Sequence, residues 1–157
     1  MKETALKYND MDYLTGLLSI NGQDAWTTYK AFLAETGMDG HNNMDELLAV
    51  PQSKEQTVVD FPERDGEELP DDIEICLQAV NRVLRFAVFG DTESERMTNY
   101  RNLMKALTAG MVSMVVKDLR TYNMYYRQMD PPEWYNCYSG RYVVIFDVTM
   151  REPKPVI

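Results

Sequence analysis

The sequence predicts an α+β protein: a mainly antiparallel β-sandwich or barrel, one main flanking helix at about 92–108 and a short helix at about 44–50. Three observations lead there. Tyr142, Val144, Phe146, Val148 and Met150 alternate with Val143, Ile145, Asp147 and Thr149, the cleanest period-two run in the chain. A capped amphipathic helix sits between strand-like runs at Leu84–Val88 and Met111–Leu119. Short turns join the remaining runs, and many strands with few helices close most simply as a sandwich or barrel.

The elements follow in chain order. Residues 1–13 are polar and mixed, an N-terminal arm or a short helix. Leu14 to Ile20 reads as a strand. Asn21-Gly22 then signals a hairpin, because a type I′ turn needs positive φ at both central residues. Residues 25–33 fit either period: Trp26, Tyr29 and Phe32-Leu33 suit a helix, and Trp26, Thr28 and Phe32 suit a strand. The hairpin before them and the β-branched Thr27-Thr28 favour strand. Gly37 to Asn43 is a loop. Asn43 followed by Glu46 is a capping-box pattern, so Met44 to Val50 forms a short helix ended by Pro51.

Gln56 to Phe61 reads as a short strand, and Pro62 to Pro70, acidic and with Gly66, as an exposed loop. Ile73, Ile75, Leu77 and Ala79 alternate with Glu74, Cys76 and Gln78, the pattern of a half-buried strand. It either runs on into Leu84 or turns at Asn81-Arg82. Leu84, Phe86 and Val88 alternate with Arg85 and Ala87 before a turn at Gly90-Asp91. Thr92 and Glu95 form a capping box, and Glu93 and Glu95 suit the positive end of the helix dipole. Met97, Tyr100, Leu103, Met104 and Leu107 give the helix its apolar face, and Gly110 suits a left-handed stop. Thr121 to Met129 is a strand with Tyr122, Met124 and Tyr126 on one face, and Asp130-Pro131-Pro132-Glu133 forces a turn.

The 157 residues read as a single domain, with 1–13 as a flexible arm and 62–70 as an exposed acidic loop. A chain of this size buries roughly 70% of its unfolded surface and needs no metal or disulfide to fold. Eleven Met and ten Tyr suit gap-filling and half-wet sheet faces or interfaces. The net charge of −9 is uneven: residues 60–74 hold eight acids and Arg64, a charge of −7, which leaves −2 for the other 142 residues. That balance argues against a nucleic-acid-binding module, which would show a basic patch. Cys76 and Cys137 form no C-x-x-C and read as two reduced thiols of a cytosolic protein. The N-terminus shows no signal peptide, and no apolar run approaches the length of a membrane span.

The search for chemistry is negative. His41 is the only histidine and lies in a Gly/Asn loop, a poor start for a zinc site or a Ser-His-Asp triad. Cys76 as a nucleophile would need His41, 35 residues upstream. The acids of 60–74 lack EF-hand spacing and read as a solvated loop. No dinucleotide fingerprint and no P-loop is present. The expectation is no enzyme activity, no catalytic residue, no metal and no cofactor. Trp134, Tyr135, Tyr138 and Tyr142 are the candidate interface, either as aromatics flanking a turn or as the lining of a sugar or peptide groove.

Three passages together carry a resemblance. They are Leu18 to Tyr29 (LSINGQDAWTTY), Glu46 to Lys54 (ELLAVPQSK) with the Asp65-Gly66 turn, and Val83-Leu84-Arg85-Phe86 through Tyr100, Leu103, Leu107 and Gly110 to Tyr125-Tyr126 and Phe146–Pro153. Their order resembles small tail proteins of prophages in Bacteroides-type bacteria. The layout is similar to the N-terminal domain of siphophage distal tail proteins and to tail-tube and tail-terminator proteins. The resemblance implies a β-sandwich or barrel with one flanking helix, and a six-membered ring around a DNA channel. It further implies neighbouring tail proteins as partners, and a path from bacterial cytoplasm to virion tail. The large C-terminal domain usual in distal tail proteins has no counterpart in these 157 residues. An acidic balance suits a channel wall that must not hold DNA. The competing reading is a stand-alone binding module for carbohydrate using the Trp134–Tyr142 aromatics.

Overall fold

A computed structural model describes residues 12–36, 40–56, 58–136 and 141–157. The elements are a 3-10 turn at Asp12–Leu14, β1 (Leu18–Ile20), β2 (Gln23–Asp24), α1 (Ala25–Tyr29), β3 (Ala31–Leu33), α2 (Asn42–Leu48), β4 (Val80–Gly90), α3 (Glu93–Leu107), β5 (Met111–Val116), β6 (Thr121–Met129), β7 (Glu133–Asn136) and β8 (Tyr142–Glu152). All strand pairs are antiparallel, in one sheet of order β2-β1-β5-β6-β8-β4-β3, with β7 also on β8. The sheet curls into a half-barrel, the α+β architecture the sequence predicts.

β8 is the spine. It pairs with β4 along its whole length, from Val80↔Glu152 to Gly90↔Tyr142. Its other edge is shared: β6 takes Val148–Arg151 and β7 takes Tyr142–Ile145. The Asp130-Pro131-Pro132 break divides them, since proline cannot continue a ladder. Just before it the register of β6 shifts between Tyr126 and Gln128. Strict alternation would send Met129 to the face opposite Tyr126; the shift lets both pack on the core.

The core lies on one face. Leu84, Phe86 and Val88 of β4 meet Val144, Phe146, Val148 and Met150 of β8, with Val112, Met114, Tyr122 and Met124 completing the inner wall. Leu103 and Leu107 of α3, Ala25 and Tyr29 of α1 and Leu47 of α2 fill it from within. Each buried Leu, Val, Phe or Met among them contributes roughly 1.5–3 kcal/mol. α3 begins where the capping box predicts: Thr92 Oγ1 accepts from Glu95 N at 3.0 Å, and Glu95 Oε2 reaches back to Asp91 N at 3.4 Å. Gly110 takes φ 124. Asn21 (φ 52) and Gly22 (φ 83) make the positive-φ hairpin between β1 and β2.

Several sequence expectations are corrected. Residues 25–33 are helix and then strand. Asp24 Oδ2 accepts from Thr27 N at 2.9 Å and caps α1, and Lys30 at φ 52 stops it one turn later. The short helix spans Asn42–Leu48, two residues ahead of the predicted 44–50, with no side-chain cap from His41. Asn43 does not cap it, because its amide is engaged by β4. Leu14 to Ile20 keeps only Leu18–Ile20 as strand, and 111–119 only Met111–Val116. Met97 is 40% exposed, and its neighbour Arg96 is the buried residue of that turn. Among the described residues Gln56–Phe61 and Ile73–Ala79 form no strand: Val59 makes an isolated bridge to Glu68 and Leu77 one to Ser53. Residues 62–70 are exposed throughout. The expected arm at 1–13 lies largely, and the loop at 37–43 partly, outside the described residues.

Candidate interaction surface

Two of the four candidate aromatics lie on different faces of the sheet. Trp134 and Tyr135 are neighbours on β7, so their side chains leave opposite faces of the sheet. Trp134, still 42% exposed, lies on the α3 side, edge-on to Tyr100 at 5.4 Å between ring centroids. The guanidinium of Arg96 stands 5.0 Å from the Trp134 ring and 5.4 Å from that of Tyr142. It also donates to Tyr135 O at 2.9 Å and to Asn136 Oδ1 and Val143 O, both at 3.3 Å. A buried cation thus fastens β7 to α3 through carbonyls and ring faces, an arrangement suited to the planar, weakly hydrated guanidinium. The sequence reading missed Arg96. The signal would have been a lone basic residue one turn into a capped helix, facing a Trp-Tyr turn. Tyr138 lies outside the described residues.

Tyr135 lines the outer face. There the outward residues of β3, β4, β8 and β7 form a shallow apolar hollow of about 550 Å³, floored by Ala87, Val143 and Ile145 and walled by Phe32, Phe89 and Tyr135. Register explains the grouping: Phe32 lies opposite Ala87 and Ala87 opposite Ile145, while Phe89 lies opposite Val143 and Val143 opposite Tyr135. Phe32 and Phe89 stack edge-on at 5.5 Å, and Trp26 braces both from behind at 6.2 and 6.0 Å. One rim is charged. Arg85 Nη1 lies 3.3 Å from Asp147 Oδ1, and Arg85 Nη2 lies 4.0 Å from Glu133 Oε2. Tyr135 Oη donates to Glu133 Oε2 at 2.5 Å, and that bond, with the carboxylate's charge, holds its phenol above the ordinary tyrosine range.

The other polar cluster is structural. Glu152 is buried between Arg82, at 2.9 Å, and Arg120, at 2.7 Å. Arg120 also lies flat on Tyr122, 3.9 Å from its centroid. Arg82 donates to the carbonyls of Glu46 and Ala49 and so closes the C-terminus of α2. His41 is exposed at the start of α2, and Cys76 is exposed in the segment before β4. Among the described residues no group of three or more His, Cys, Asp or Glu side chains could hold a metal ion. No helix among them is long and apolar enough to cross a membrane.

The class defined here is a half-barrel domain with a buried polar frame and an apolar hollow on its outer face. No protein-family model matches the sequence, and no curated protein does. Among solved structures the fold is similar to that of the SPP1 Dit protein (gp 19.1), described as a paradigm of the hub adsorption apparatus in phages infecting Gram-positive bacteria. The TM-score is 0.50 at 20% sequence identity, over 87% of this chain and 50% of that one. This chain therefore spans about half the length of that protein and shares its fold.

Proposed function

We propose that this protein is a non-enzymatic structural subunit of a phage or prophage tail, a single domain that assembles into a ring by self-association. The likeness to a phage adsorption-hub protein over 87% of the chain carries the reading. The fold supports it by leaving an apolar hollow uncovered on an outer sheet face, since a surface of that kind marks an interaction site. The partners are other copies of the chain, six in the ring, and the neighbouring tail proteins. The turn carrying Trp134, Tyr135, Tyr138 and Tyr142 lies at the contact. The subunit is made in the bacterial cytoplasm of a Bacteroides-type host and ends in the virion tail. A net charge of −9 suits a channel that passes DNA without gripping it.

The test is composition. Mass spectrometry of purified particles from the host should find the chain, and it should co-purify with the products of adjacent tail genes on co-expression. If it is absent from particles and co-purifies with none of them, the reading is wrong. The binding-module alternative then takes its place, with carbohydrate at the Trp134–Tyr142 aromatics, to be tried on a glycan array.

A further inference from the structure

The buried frame around Glu152 is closed on one side and open on the other. Two cations face one anion there, which leaves a charge of +1 in a chain of net −9. Arg82 is engaged at every nitrogen: Nε and Nη2 meet Glu152 Oε1 at 3.0 and 2.9 Å, and Nη1 donates to the carbonyls of Glu46 and Ala49. Arg120 is not. Its Nη1 donates to Glu152 Oε2 at 2.7 Å and to Thr121 O at 3.0 Å, and its Nη2 donates once, to Glu152 Oε1 at 3.1 Å. A guanidinium carries five N–H donors in a fixed fork. The two left over, on Nε and Nη2, point the same way along one edge of that fork. No acceptor meets them among the described residues. The Tyr122 ring, 3.9 Å away, holds the plane of the fork.

Arg120 and Tyr122 also line a pocket of about 280 Å³, together with residues 47–51 and 156–157. Leu48, Val50, Val156 and Ile157 line it and stay exposed. Its volume lies near the lower end of the range for ligand pockets, about 300–1,000 Å³. We propose that this pocket binds a small monocarboxylate with a branched apolar body. Arg120 Nε and Nη2 take the carboxylate side-on, and Leu48 and Val50 take the body. Charge and lining select the class together. One carboxylate brings the frame to two cations and two anions, and a dianion would overshoot. Chloride matches the charge but leaves the apolar lining wet, and an uncharged apolar group leaves the donors unmet. Paired N–H donors of arginine fit a carboxylate bidentately, with strength and direction. Tyr122 fixes the fork beforehand, so little further ordering opposes binding. A free carboxylic acid and the last residue of a polypeptide share this chemistry. The pocket has no residue in common with the outer hollow, and the site does not depend on the tail reading.

The experiment titrates the full, isotope-labelled chain and follows its amide chemical shifts. The probes are isocaproate and an N-acetylated tripeptide ending in leucine, each set against its own carboxamide. At least one acid should give saturable shifts at residues 47–50 and 119–122, with a Kd of ~1 mM or tighter and its amide at least ~10-fold weaker. Tighter binding of isocaproate assigns the site to a free acid, and tighter binding of the peptide assigns it to a chain terminus. Arg120→Lys keeps the charge beside Glu152 but lacks the second pair of donors, and should weaken binding at least ~10-fold. Leu48→Asp sets a like charge at an exposed position of the pocket and should do the same with an unchanged melting temperature. It decides the matter if Arg120→Lys does not fold. Shifts that stay linear with both acids, or amides that bind as well as their acids, overturn the site. Binding that survives Arg120→Lys or Leu48→Asp undiminished overturns it too.

Discussion

The side-chain amide of Asn43 stands in for a strand beside Arg85. Its Oδ1 accepts from Arg85 N at 2.7 Å, and its Nδ2 donates to Ala34 O at 2.6 Å and more weakly to Arg85 O at 3.4 Å. β3 ends at Leu33, and past it Ala34 N still donates to Arg85 O at 2.8 Å, which leaves Arg85 N and the groups beyond it to be satisfied otherwise. Asn43 extends the pairing by one residue and Glu46 by another, its Oε2 accepting from Val83 N at 3.2 Å. A short helix thus covers an exposed sheet edge. Asn43 is 2% exposed, so truncation strands buried backbone groups. Asn43→Ala should cost about 2–3 kcal/mol in urea denaturation. Asn43→Asp should fail to restore it, because it removes the donor to Ala34 O and buries a charge.

Glu152 is the one negative charge between two guanidinium groups, with its side chain and that of Arg82 each 2% exposed. Glu152→Gln should destabilise by about 3–5 kcal/mol, the usual cost of breaking a buried pair from one side. Replacing Arg82 by Met in the same protein should recover part of the loss. A double-mutant cycle from chemical denaturation reads the coupling, and simple additivity would count against the pair.

Gly90 ends β4 directly against the second turn of α3. A Cβ there would fall 2.3 Å from Arg96 N and 2.7 Å from Arg96 Cα. Both are backbone atoms and cannot swing aside, so the helix itself would have to shift. Gly90→Ala should cost about 1–3 kcal/mol as an overpacking change and loosen the Arg96 clamp on β7. Hydrogen exchange should show β7 amides opening faster than those of β5.

Tyr122 gives an alkaline signature. Its Oη donates to Leu47 O at 2.8 Å, and burial raises its phenol above the ordinary 10.0, against the pull of Arg120 and Arg82. A raised acid favours the folded state while it keeps its proton. That stability is full below pH 10 and is lost as pH climbs through the folded value. Tyr122→Phe should lower stability by about 1 kcal/mol at neutral pH. It should also flatten the fall in melting temperature above pH 10, a range in which Tyr100, likewise raised by burial, keeps part of the slope.

The sequence by itself determined the elements whose signal is local. The alternation over 142–150 gave β8, the Thr92–Glu95 box gave the start of α3, and Asn21-Gly22 gave the first hairpin. In each, neighbouring residues supply both the pattern and the partner that satisfies it. Tertiary structure decided the rest, wherever the partner is distant in sequence. Asn43 reads as a cap but is drawn to β4, 42 residues away, because a bare strand edge outbids a helix N–H. Arg96 has no partner nearby in sequence that marks it, yet it is buried by the carbonyls and rings of β7 and β8, some 40 residues on. Trp134 and Tyr135 read as one aromatic group, yet the two-residue period of β7 parts them across the sheet. Ile73 and Ile75 read as a strand and are left exposed, because period two records that a segment is built to be half covered and not which surface covers it.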